Sequence, residues 1–395
     1  MALGTLRRKE AAWGGVADII SGGVYYIRMA LAMYRRYRPA TFQDVIGQDL
    51  AIGILREAAR QDKIAHAYLF AGPRGTGKTT TARLIAKIAN CEKRAADAAF
   101  RATGEPCNAC AACRSIDEGR NLDIIEIDAA SNRGIDEIRN LKENIRVAPS
   151  ASRYKVFIID EAHQLTKEAF NALLKTLEEP PPYALFILAT TEADRMPATI
   201  LSRTQQFTFK HVPIQLIVGK LKKIAAKEKI SISSEALDLI ASAAEGSFRD
   251  AESLLDQLVA FGDREVSADE VTSMLGTVGF DTLSEFAGLL LTGNQKHALD
   301  ALEKIEDGGY DIVQFTKNLI RYLRRAVVLH CEPALAERFK QELSEEHLQK
   351  LLAHAKLVTD RHLALLKSLI AAWSEMRYSQ FPLVSLEIVL IEHVR

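Results

Sequence analysis

Short apolar runs alternate with amphipathic stretches between about residues 67 and 210. Runs of this length and composition predict buried strands, and they occupy residues 67–71, 123–128, 156–160, 184–189 and 206–209. Between the third and fourth runs, apolar side chains recur at helical spacing at Phe170, Leu173, Leu174 and Leu177, and Pro180–Pro182 ends that pattern. Strands that alternate with helices predict a mostly parallel sheet with helices on both faces, and thus an α/β fold class.

Strand-like runs stop after Pro213, and the remaining pattern is helical. Three helices are predicted at residues 236–244, 250–261 and 268–275, and amphipathic helices with stripes of Leu, Ala and Ile follow from about residue 280. Such stripes are typical of the core of a helix bundle. We therefore predict an α/β domain over residues 33–212, a small three-helix domain over 213–277 and an all-helical domain over 278–395.

The first 32 residues do not share the periodicity of the rest. Their basic start, followed by small residues, superficially resembles a signal peptide. However, Glu10, Asp18 and four glycines interrupt the segment 10–27 and leave no long apolar core. We predict that residues 1–32 form an N-terminal extension that is disordered or non-native, with Met29 and Met33 as alternative translation starts.

The charge balance narrows the range of partners. The chain of 395 residues carries 51 basic and 51 acidic side chains, so its formal net charge is zero. No global electrostatic field attracts it to nucleic acid, and any such contact must come from a local basic patch. No apolar run reaches the roughly 18 residues needed to span a bilayer, so no membrane partner is predicted.

The run from Gly72 to Thr79 has the spacing G-x-x-x-x-G-K-T of a phosphate-binding loop, between a predicted strand and a predicted helix over residues 80–89. Its glycines let backbone N–H groups curl around a phosphate, and the helix N-terminus adds positive potential. Lys78 is predicted to reach the β- and γ-phosphates of a bound nucleotide, and Thr79 to ligate Mg²⁺. The residues assigned to the nucleotide are Gly72, Pro73, Arg74, Gly75, Thr76, Gly77, Lys78, Thr79 and Thr80.

A second candidate site lies where the apolar run 156–160 ends in two acids, Asp160 and Glu161. The carboxyl ends of strands are where α/β sheets bind ligands. Asp160 is predicted to hold Mg²⁺ through water, and Glu161 to act as the general base that polarises the attacking water. The alternative interpretation of Glu161 is an ordinary acid at a helix N-terminus.

Four cysteines form a separate constellation. Cys91, Cys107, Cys110 and Cys113 have the spacing C-x15-C-x2-C-x2-C, and four thiolates can close a tetrahedral structural Zn²⁺ site. Free thiols and an iron–sulfur cluster are the alternatives. The insert 91–113 lies between the P-loop helix and the next strand, and four cysteines leave no open ligand position, so a structural rather than catalytic zinc is predicted. Cys331, in a helical stretch, is predicted to be a small core residue.

The order and spacing of several further runs resemble the bacterial DNA polymerase III gamma/tau family from about Met33 onward. These runs lie at residues 37–48, 66–70, 126–131, 170–181, 188–191, 199–203 and 244–250, and the cysteine quartet is characteristic of the same family. The resemblance implies an AAA+ ATPase domain that carries the zinc-binding insert. It also implies a small helical lid over residues 213–277, here called the lid region, and a helical oligomerisation collar over residues 278–395, here called the collar region.

The resemblance also implies roles for residues outside the two motifs. The segment Tyr37, Arg38 and Pro39 would line the adenine pocket, with Ile46 packing near the base. Thr191 matches a polar sensor at the end of the fourth strand, with Thr190 close beside it. Arg249 matches the lid arginine that senses the γ-phosphate, and Arg203 the finger that acts in trans on a neighbour's ATP. The chain departs from the family at Thr204, where a cysteine is usual, and little effect is expected.

The resemblance implies an ATPase motor subunit of the clamp loader, which opens the sliding clamp and loads it on primed DNA in replication. The implied cofactors are ATP, Mg²⁺ and structural Zn²⁺. The implied partners are delta and delta-prime subunits, further copies of the chain, the sliding clamp and primer–template DNA, which Arg133 and Arg139 would face. A cytoplasmic, nucleoid-associated replisome is the expected location, and no polymerase active site is expected. Two rivals remain, another AAA+ remodeller and a scaffold that binds nucleotide without hydrolysing it.

Overall fold

A five-stranded parallel sheet lies at the centre of the N-terminal half in a computed structural model, which describes residues 31–132, 141, 143–261, 265–339 and 345–394. The strands are β1 (Ala67–Ala71), β2 (Ile124–Asp128), β3 (Lys155–Asp160), β4 (Ala184–Thr190) and β5 (Gln205–Thr208). Their spatial order is β2-β3-β4-β1-β5, and every pair is parallel. Each of the five predicted runs overlaps one of these strands, with bounds that differ by no more than one residue at either end, so the α/β prediction is confirmed.

The central strands are mostly apolar because both of their faces are covered. Along β3, Val156 and Ile158 belong to the core on one side of the sheet, and Phe157 and Ile159 to the core on the other side. Phe157 stacks on Phe186 of β4 with 5.2 Å between ring centroids. Side chains therefore alternate between two packed layers, while the edge strands β2 and β5 are more exposed.

Helices cover both faces of this sheet. One layer contains Lys78–Asn90, here called the P-loop helix, and Asp49–Arg60; the other contains Lys167–Glu178, whose Phe170, Leu173 and Leu177 face the sheet as their spacing predicts. Shorter helices with bounds in the described part of this half are Met33–Arg36, Glu92–Ala96, Ala98–Arg101, Ala111–Asp117 and Ala198–Leu201. Residues 141 and 143–146 are also helical, and 3₁₀ turns occur at Phe42–Asp44, Ala162–Gln164 and Ala193–Arg195.

The lid region differs from its prediction in two respects. It holds four helices among its described residues rather than three: Ile214–Glu228, Ser234–Ala243, Phe248–Phe261 and Ala268–Leu275. The first was missed because it follows Pro213, and no side chain caps its N-terminus to mark the start. A two-stranded parallel ladder, β6 (Ser231–Ile232) with β7 (Glu265–Val266), also corrects the statement that strands end at Pro213. Two residues per strand are too few to produce an alternating pattern.

The collar region is helical, as predicted. Its helices are Phe280–Thr292, Gln295–Asp307, Ile312–Cys331, Ala336–Phe339, Glu345–Ala355, Asp360–Met376 and Pro382–His393, with a 3₁₀ turn at Pro333–Leu335. They enclose one continuous apolar core that runs from Val278 to Val394. The prediction for Cys331 was wrong, because it is exposed as the last residue of its helix, beyond the buried Leu329.

Some sequence predictions concern residues that the structure does not describe. Residues 1–30 of the predicted extension fall outside the described ranges, as do Arg133 and Arg139. Within the described ranges, no single helix has both the length and the apolar content to cross a membrane; one pair, Ala268–Leu275 with Phe280–Thr292, passes the same test only when joined across a 63° bend.

Candidate active site

The phosphate-binding loop leaves the carboxyl end of β1 and enters the P-loop helix. Gly72, Gly75 and Gly77 all have positive φ values, of 148°, 71° and 104°. Space is as restrictive as conformation, because a Cβ on Gly75 would lie 1.8 Å from the hydroxyl oxygen of Ser247 in the lid region. The loop therefore requires glycine at Gly75 for two independent reasons.

The interior of the loop has the donor set that a phosphate requires. The side chain of Lys78 is buried, and its Nζ donates to the carbonyl oxygens of Gly72 at 2.7 Å and Pro73 at 2.8 Å. Burial lowers the pKa of Lys78, although the charges of Glu161 and Asp160 oppose that shift. Within the described part of the chain, the backbone N–H groups of Gly75 and Gly77 donate to no protein acceptor. Together with the helix N-terminus, these groups favour an anion.

Asp160 brings the second motif against the first. It ends β3, at the same edge of the sheet as the loop and separated from β1 by β4. Its Oδ2 accepts a hydrogen bond from Thr79 Oγ1 at 2.8 Å. A threonine hydroxyl beside a carboxylate, at the phosphate end of a P-loop, is a donor set that suits Mg²⁺. The two residues that the sequence assigned to the metal therefore lie in direct contact.

Glu161 adopts a left-handed backbone conformation with φ of 47°, and its carboxylate is held by the end of β4. Its Oε2 accepts hydrogen bonds from Thr191 Oγ1 at 2.9 Å and from Thr191 N–H at 3.3 Å. The side chain makes no capping bond to the 3₁₀ turn that follows, which disfavours its interpretation as an ordinary helix N-terminal acid. An oriented carboxylate near the Mg²⁺ ligands is placed to accept a proton from water.

The structure distinguishes the two neighbouring threonines at the end of β4. Thr190 is fully buried, and its hydroxyl contacts His163 Nδ1 at 3.0 Å. Thr191 points the other way and contacts Glu161. Thr190 is the last residue of β4, whereas Thr191 follows the strand, and their hydroxyls have different partners. Thr191 is therefore the threonine in contact with the candidate base.

The lid region closes the other side of the cleft. The described residues that line the cleft are Tyr34, Arg38, Pro39, Arg74, Gly75, Gly77, Lys78, Thr79, Thr80, Asp160, Glu161, Lys220, Arg249 and Glu252. The Arg249 guanidinium lies 5.0 Å from the centroid of the Tyr34 ring, within range of a cation–π contact. Lys220 pairs with the buried Glu252 at 2.6 Å. The structure thus brings the lid arginine to the same cavity as Lys78.

The N-terminal segment only partly follows its predicted placement. Arg38 and Pro39 line the cleft, whereas Tyr37 and Ile46 are not among its lining residues. Tyr37 instead packs on the lid core, and its hydroxyl donates to Glu228 at 2.5 Å. Sequence reasoning missed Tyr34, Lys220 and Glu252, which belong to no recognisable motif and reach the cleft only because the lid folds over it.

Arg203 lies far from the cleft in its own chain. It precedes β5, whose first residue Gln205 pairs with Tyr68 near the start of β1, while the P-loop follows the end of β1. The two sites are therefore separated by roughly 15 Å of sheet, at a rise of about 3.3 Å per residue. Arg203 pairs with Glu178 at 2.6 Å, and Thr204 donates to the Ile200 carbonyl at 3.0 Å. Arg203 cannot contact a nucleotide in its own P-loop without large movement.

The four cysteines converge in one cluster. The Sγ atoms of Cys91, Cys107, Cys110 and Cys113 all lie within 4.8 Å of one another, and no pair forms a disulfide. A tetrahedral ion with bonds of about 2.3 Å separates its sulfurs by about 3.8 Å, and Cys107 and Cys113 are 3.9 Å apart. Backbone N–H groups of Cys107, Ala109, Cys110 and Cys113 point at these sulfurs. Such donors favour thiolates, so the cluster is compatible with a single four-coordinate ion such as zinc.

Three family models match consecutive parts of the chain. Residues 47–213 match a model described as DNA polymerase III, delta subunit. Residues 216–264 match the ATPase lid domain of a DNA polymerase III clamp loader subunit. Residues 266–395 match domain III of the DNA polymerase III subunits gamma and tau. Together the three models span most of the chain, and all three concern the same polymerase assembly.

Curated relatives agree with these models. The chain is 40% identical over 361 residues to the DNA polymerase III subunit tau of Bacillus subtilis, covering 91% of this chain and 62% of that protein. It is 41% identical over 300 residues to subunit tau of Escherichia coli, covering 76% of this chain and 46% of that protein. The chain therefore spans less than two thirds of the length of these relatives.

Among solved structures, the Thermotoga maritima RuvB Holliday junction branch migration motor is similar to this chain. The alignment covers 65% of this chain and 79% of that chain at 19% identity, with a TM-score of 0.43. A TM-score of this size is too low to establish a common function.

Proposed function

This chain belongs to the family of DNA polymerase III gamma and tau subunits, with the AAA+ arrangement of sheet domain, lid and helical C-terminal region, and on that premise we propose that it is the ATPase motor subunit of a clamp loader. The observation that carries the proposal is the meeting of Lys78, Thr79, Asp160, Glu161 and Arg249 in one cleft. Nucleotide bound there would touch the sheet domain and the lid at once. A cleft of this kind can convert nucleotide binding into lid movement.

We propose that each residue of the cleft has a separate task. Lys78 and the N–H groups of the loop bind the β- and γ-phosphates of ATP. Thr79 and Asp160 would hold Mg²⁺, which would supply positive charge to the phosphates. Glu161, oriented by Thr191, accepts a proton from the attacking water. Arg38 and Pro39, which line the same cleft, would contact the adenine. Arg249 approaches the γ-phosphate from the lid, so lid position depends on whether that phosphate is present.

We propose that the assembled loader couples these tasks between subunits. Arg203 supplies a positive charge to the ATP site of a neighbouring subunit, because it lies at the opposite end of its own sheet from its own P-loop. The assembly with ATP bound favours a tight spiral that opens the sliding clamp, and hydrolysis on primer–template DNA releases a closed clamp. The differential affinity for ATP between these states biases the equilibrium. Delta and delta-prime subunits and further copies of this chain complete the ring within the replisome at the nucleoid.

One assay tests this function against its two rivals. ATP hydrolysis is measured with the reconstituted loader alone, with primed DNA, with the sliding clamp, and with both. We expect strong stimulation only with both, together with clamp retained on circular DNA. Stimulation by branched or duplex DNA without clamp would indicate another remodeller. Binding of ATP without hydrolysis under all conditions would indicate a scaffold.

The Glu161→Gln substitution separates binding from hydrolysis. Glutamine keeps the size of the side chain and a hydrogen bond from Thr191, but it cannot accept a proton from water. We expect ATP affinity within about twofold of wild type and a loss of hydrolysis of about 10²–10⁴-fold. Equilibrium binding of a fluorescent ATP analogue and single-turnover hydrolysis measure the two quantities. Glu168→Gln is the matched control, since this glutamate is exposed and lies outside the cleft lining. Unchanged hydrolysis by Glu161→Gln would exclude the general-base role.

We also propose that the cysteine cluster holds one structural Zn²⁺. All four positions are used by cysteine, so a tetrahedral ion would keep no open position for a substrate. The closely spaced sulfurs support a single ion rather than a larger iron–sulfur cluster. The ion would stabilise the insert 91–113 and take no part in phosphate chemistry.

Elemental analysis of reduced, purified protein is expected to give close to one zinc per chain. Cys110→Ser should lower the zinc content and the thermal midpoint, while the affinity for ATP changes by less than about threefold, because removing a structural metal costs folding free energy. Cys331→Ser is the matched control, since Cys331 is exposed and outside the cluster. Protein that contains no zinc, or that contains iron and sulfide in its place, would contradict the assignment.

A further inference from the structure

One turn of the lid region contacts three parts of the molecule. This turn, Ala244–Phe248, joins helix Ser234–Ala243 to helix Phe248–Phe261 and is called the lid turn. Glu245 and Gly246 have positive φ values of 49° and 85°. The conformation is uncommon for a residue with a side chain, so Glu245 stays in it only if surrounding contacts hold it there.

The lid turn lies directly on the phosphate-binding loop. The Phe248 N–H donates to the Gly75 carbonyl oxygen at 3.1 Å. Ser247 is buried so tightly against Gly75 that any side chain on that glycine would overlap it. The Ser247 hydroxyl also accepts from the Asp250 N–H at 3.2 Å, at the start of the helix that carries Arg249. The turn therefore sets the distance between the lid region and the loop. It also sets the position of the backbone from which the Arg249 side chain extends.

The opposite side of the lid turn is held by the collar region. Arg321 Nη2 donates to Glu245 Oε1 at 2.8 Å, and Lys317 Nζ donates to the same oxygen. Burial raises the pKa of Glu245, but the hydrogen bond from Lys317 and the charges of both cations outweigh it, and the net shift is downward. Lys317 also lies 5.8 Å from the centroid of the Trp373 ring, which fixes it to a second collar helix.

The third contact anchors the turn to the end of the sheet domain. His211 Nδ1 lies 3.0 Å from the Glu245 carbonyl oxygen, and the Val212 N–H donates to the Gly246 carbonyl oxygen at 3.1 Å. Because these bonds involve backbone atoms, they hold the position of the turn but do not depend on the Glu245 carboxylate. Among the described residues, the Glu245 carboxylate itself pairs with Lys317 and Arg321 of the collar region.

We propose that Lys317 and Arg321 are positioning residues for the nucleotide site, acting through Glu245 on the contact between the lid turn and Gly75. The inference rests on the proposed nucleotide binding at Lys78 and adds a route by which the collar region affects it. When the collar helix Ile312–Cys331 holds Glu245, Ser247 and Phe248 stay against the loop and Arg249 faces the cleft. By linkage, nucleotide that requires this arrangement strengthens the collar contact to the same extent.

The test is a double-mutant cycle read by nucleotide affinity. Glu245→Gln keeps the shape of the side chain and removes its charge, and the pair Lys317→Ala with Arg321→Ala removes the partners. We expect Glu245→Gln, and equally the double variant Lys317→Ala with Arg321→Ala, to weaken binding of a fluorescent ATP analogue by about three- to tenfold. The effect is of this size because partly exposed ion pairs have modest energies. Combining them should weaken binding no further than either alone. Lys317→Arg keeps the charge and should stay within about twofold of wild type.

A matched control distinguishes positioning from general destabilisation. Asp281→Asn breaks the exposed ion pair with Lys350 inside the collar region, away from the lid turn, and should leave affinity unchanged. Thermal melting is recorded for every variant. Wild-type affinity in Glu245→Gln, or additive effects in the combined variant, would overturn the positioning role while nucleotide binding stands. Failure of wild-type protein to bind the analogue would instead overturn the proposed function.

Discussion

Replacing Lys78 with alanine is expected to abolish nucleotide-dependent activity and leave the fold intact. The Lys78 ammonium is the buried cation of the loop, held 2.7 Å and 2.8 Å from two loop carbonyls, and no other lysine of the P-loop helix reaches the cleft lining among the described residues. Without it, the phosphates lose the one buried ammonium that the loop itself directs into the cleft among the described residues. We expect ATP hydrolysis to fall by at least about 100-fold, in line with the loss of a preorganised electrostatic group.

The measurement pairs binding and hydrolysis with circular dichroism and thermal melting. The variant should melt within a few degrees of wild type, because Lys78 makes no ion pair among the described residues. Lys87→Met is the matched control: Lys87 is a buried lysine of the same helix that pairs with Asp117 outside the cleft. That control should lose stability but hydrolyse ATP normally per folded molecule. Wild-type hydrolysis by Lys78→Ala would show that the assignment of the active site is wrong.

Replacing Arg203 with alanine is expected to leave ATP binding by the isolated subunit nearly unchanged and to disable the assembled loader. Its position at the opposite end of β1 and β5 from the P-loop prevents contact with its own nucleotide. A guanidinium supplied to a neighbour can accelerate phosphoryl transfer by about 10³–10⁵-fold. We therefore expect hydrolysis stimulated by DNA and clamp to fall by about 10³-fold, with the unstimulated rate little changed. Arg195→Ala, which removes an exposed arginine paired locally with Glu192, is the control.

Mixed assemblies decide whether Arg203 acts in trans. A subunit with Arg203→Ala and an intact P-loop is combined with a Lys78→Ala subunit that keeps its arginine. Activity should return at interfaces where an intact arginine meets an intact P-loop. A second comparison addresses the ion pair with Glu178. If Arg203 serves only that pair, Glu178→Ala should reproduce the whole loss, and mixing should recover nothing although the subunits assemble.

The features predicted well from the sequence are those that depend on neighbours in the chain. The apolar runs located every strand of the main sheet, most clearly the central ones, because a strand covered on both faces carries apolar side chains along its middle. The P-loop and the Asp160–Glu161 pair could also be predicted, because phosphate and Mg²⁺ require particular residues at short spacing along the chain. Weak local signals failed: the helix after Pro213 lacks a capping side chain, and β6 and β7 are two residues each.

The features that were missed depend on which distant segments meet. No local pattern indicates that Tyr34 would stack on Arg249, or that Tyr37 would turn to Glu228 of the lid rather than to the cleft. The choice between Thr190 and Thr191 depends on which hydroxyl is turned to Glu161. Each of these contacts joins residues far apart in sequence, so the geometry of packing rather than local preference selects them.

By itself, the sequence determined the order of the five main strands, the phosphate-binding loop, the acidic pair and the four cysteines, because periodicity, turn chemistry and motif spacing are local properties. The tertiary structure alone decided the spatial order β2-β3-β4-β1-β5, which puts Asp160 against Thr79 and Arg203 at the far end of the sheet. It alone decided that Glu245 meets Lys317 and Arg321 while its neighbour Ser247 meets Gly75. Such contacts form only when separate cores pack together, and chain periodicity carries no information about that packing.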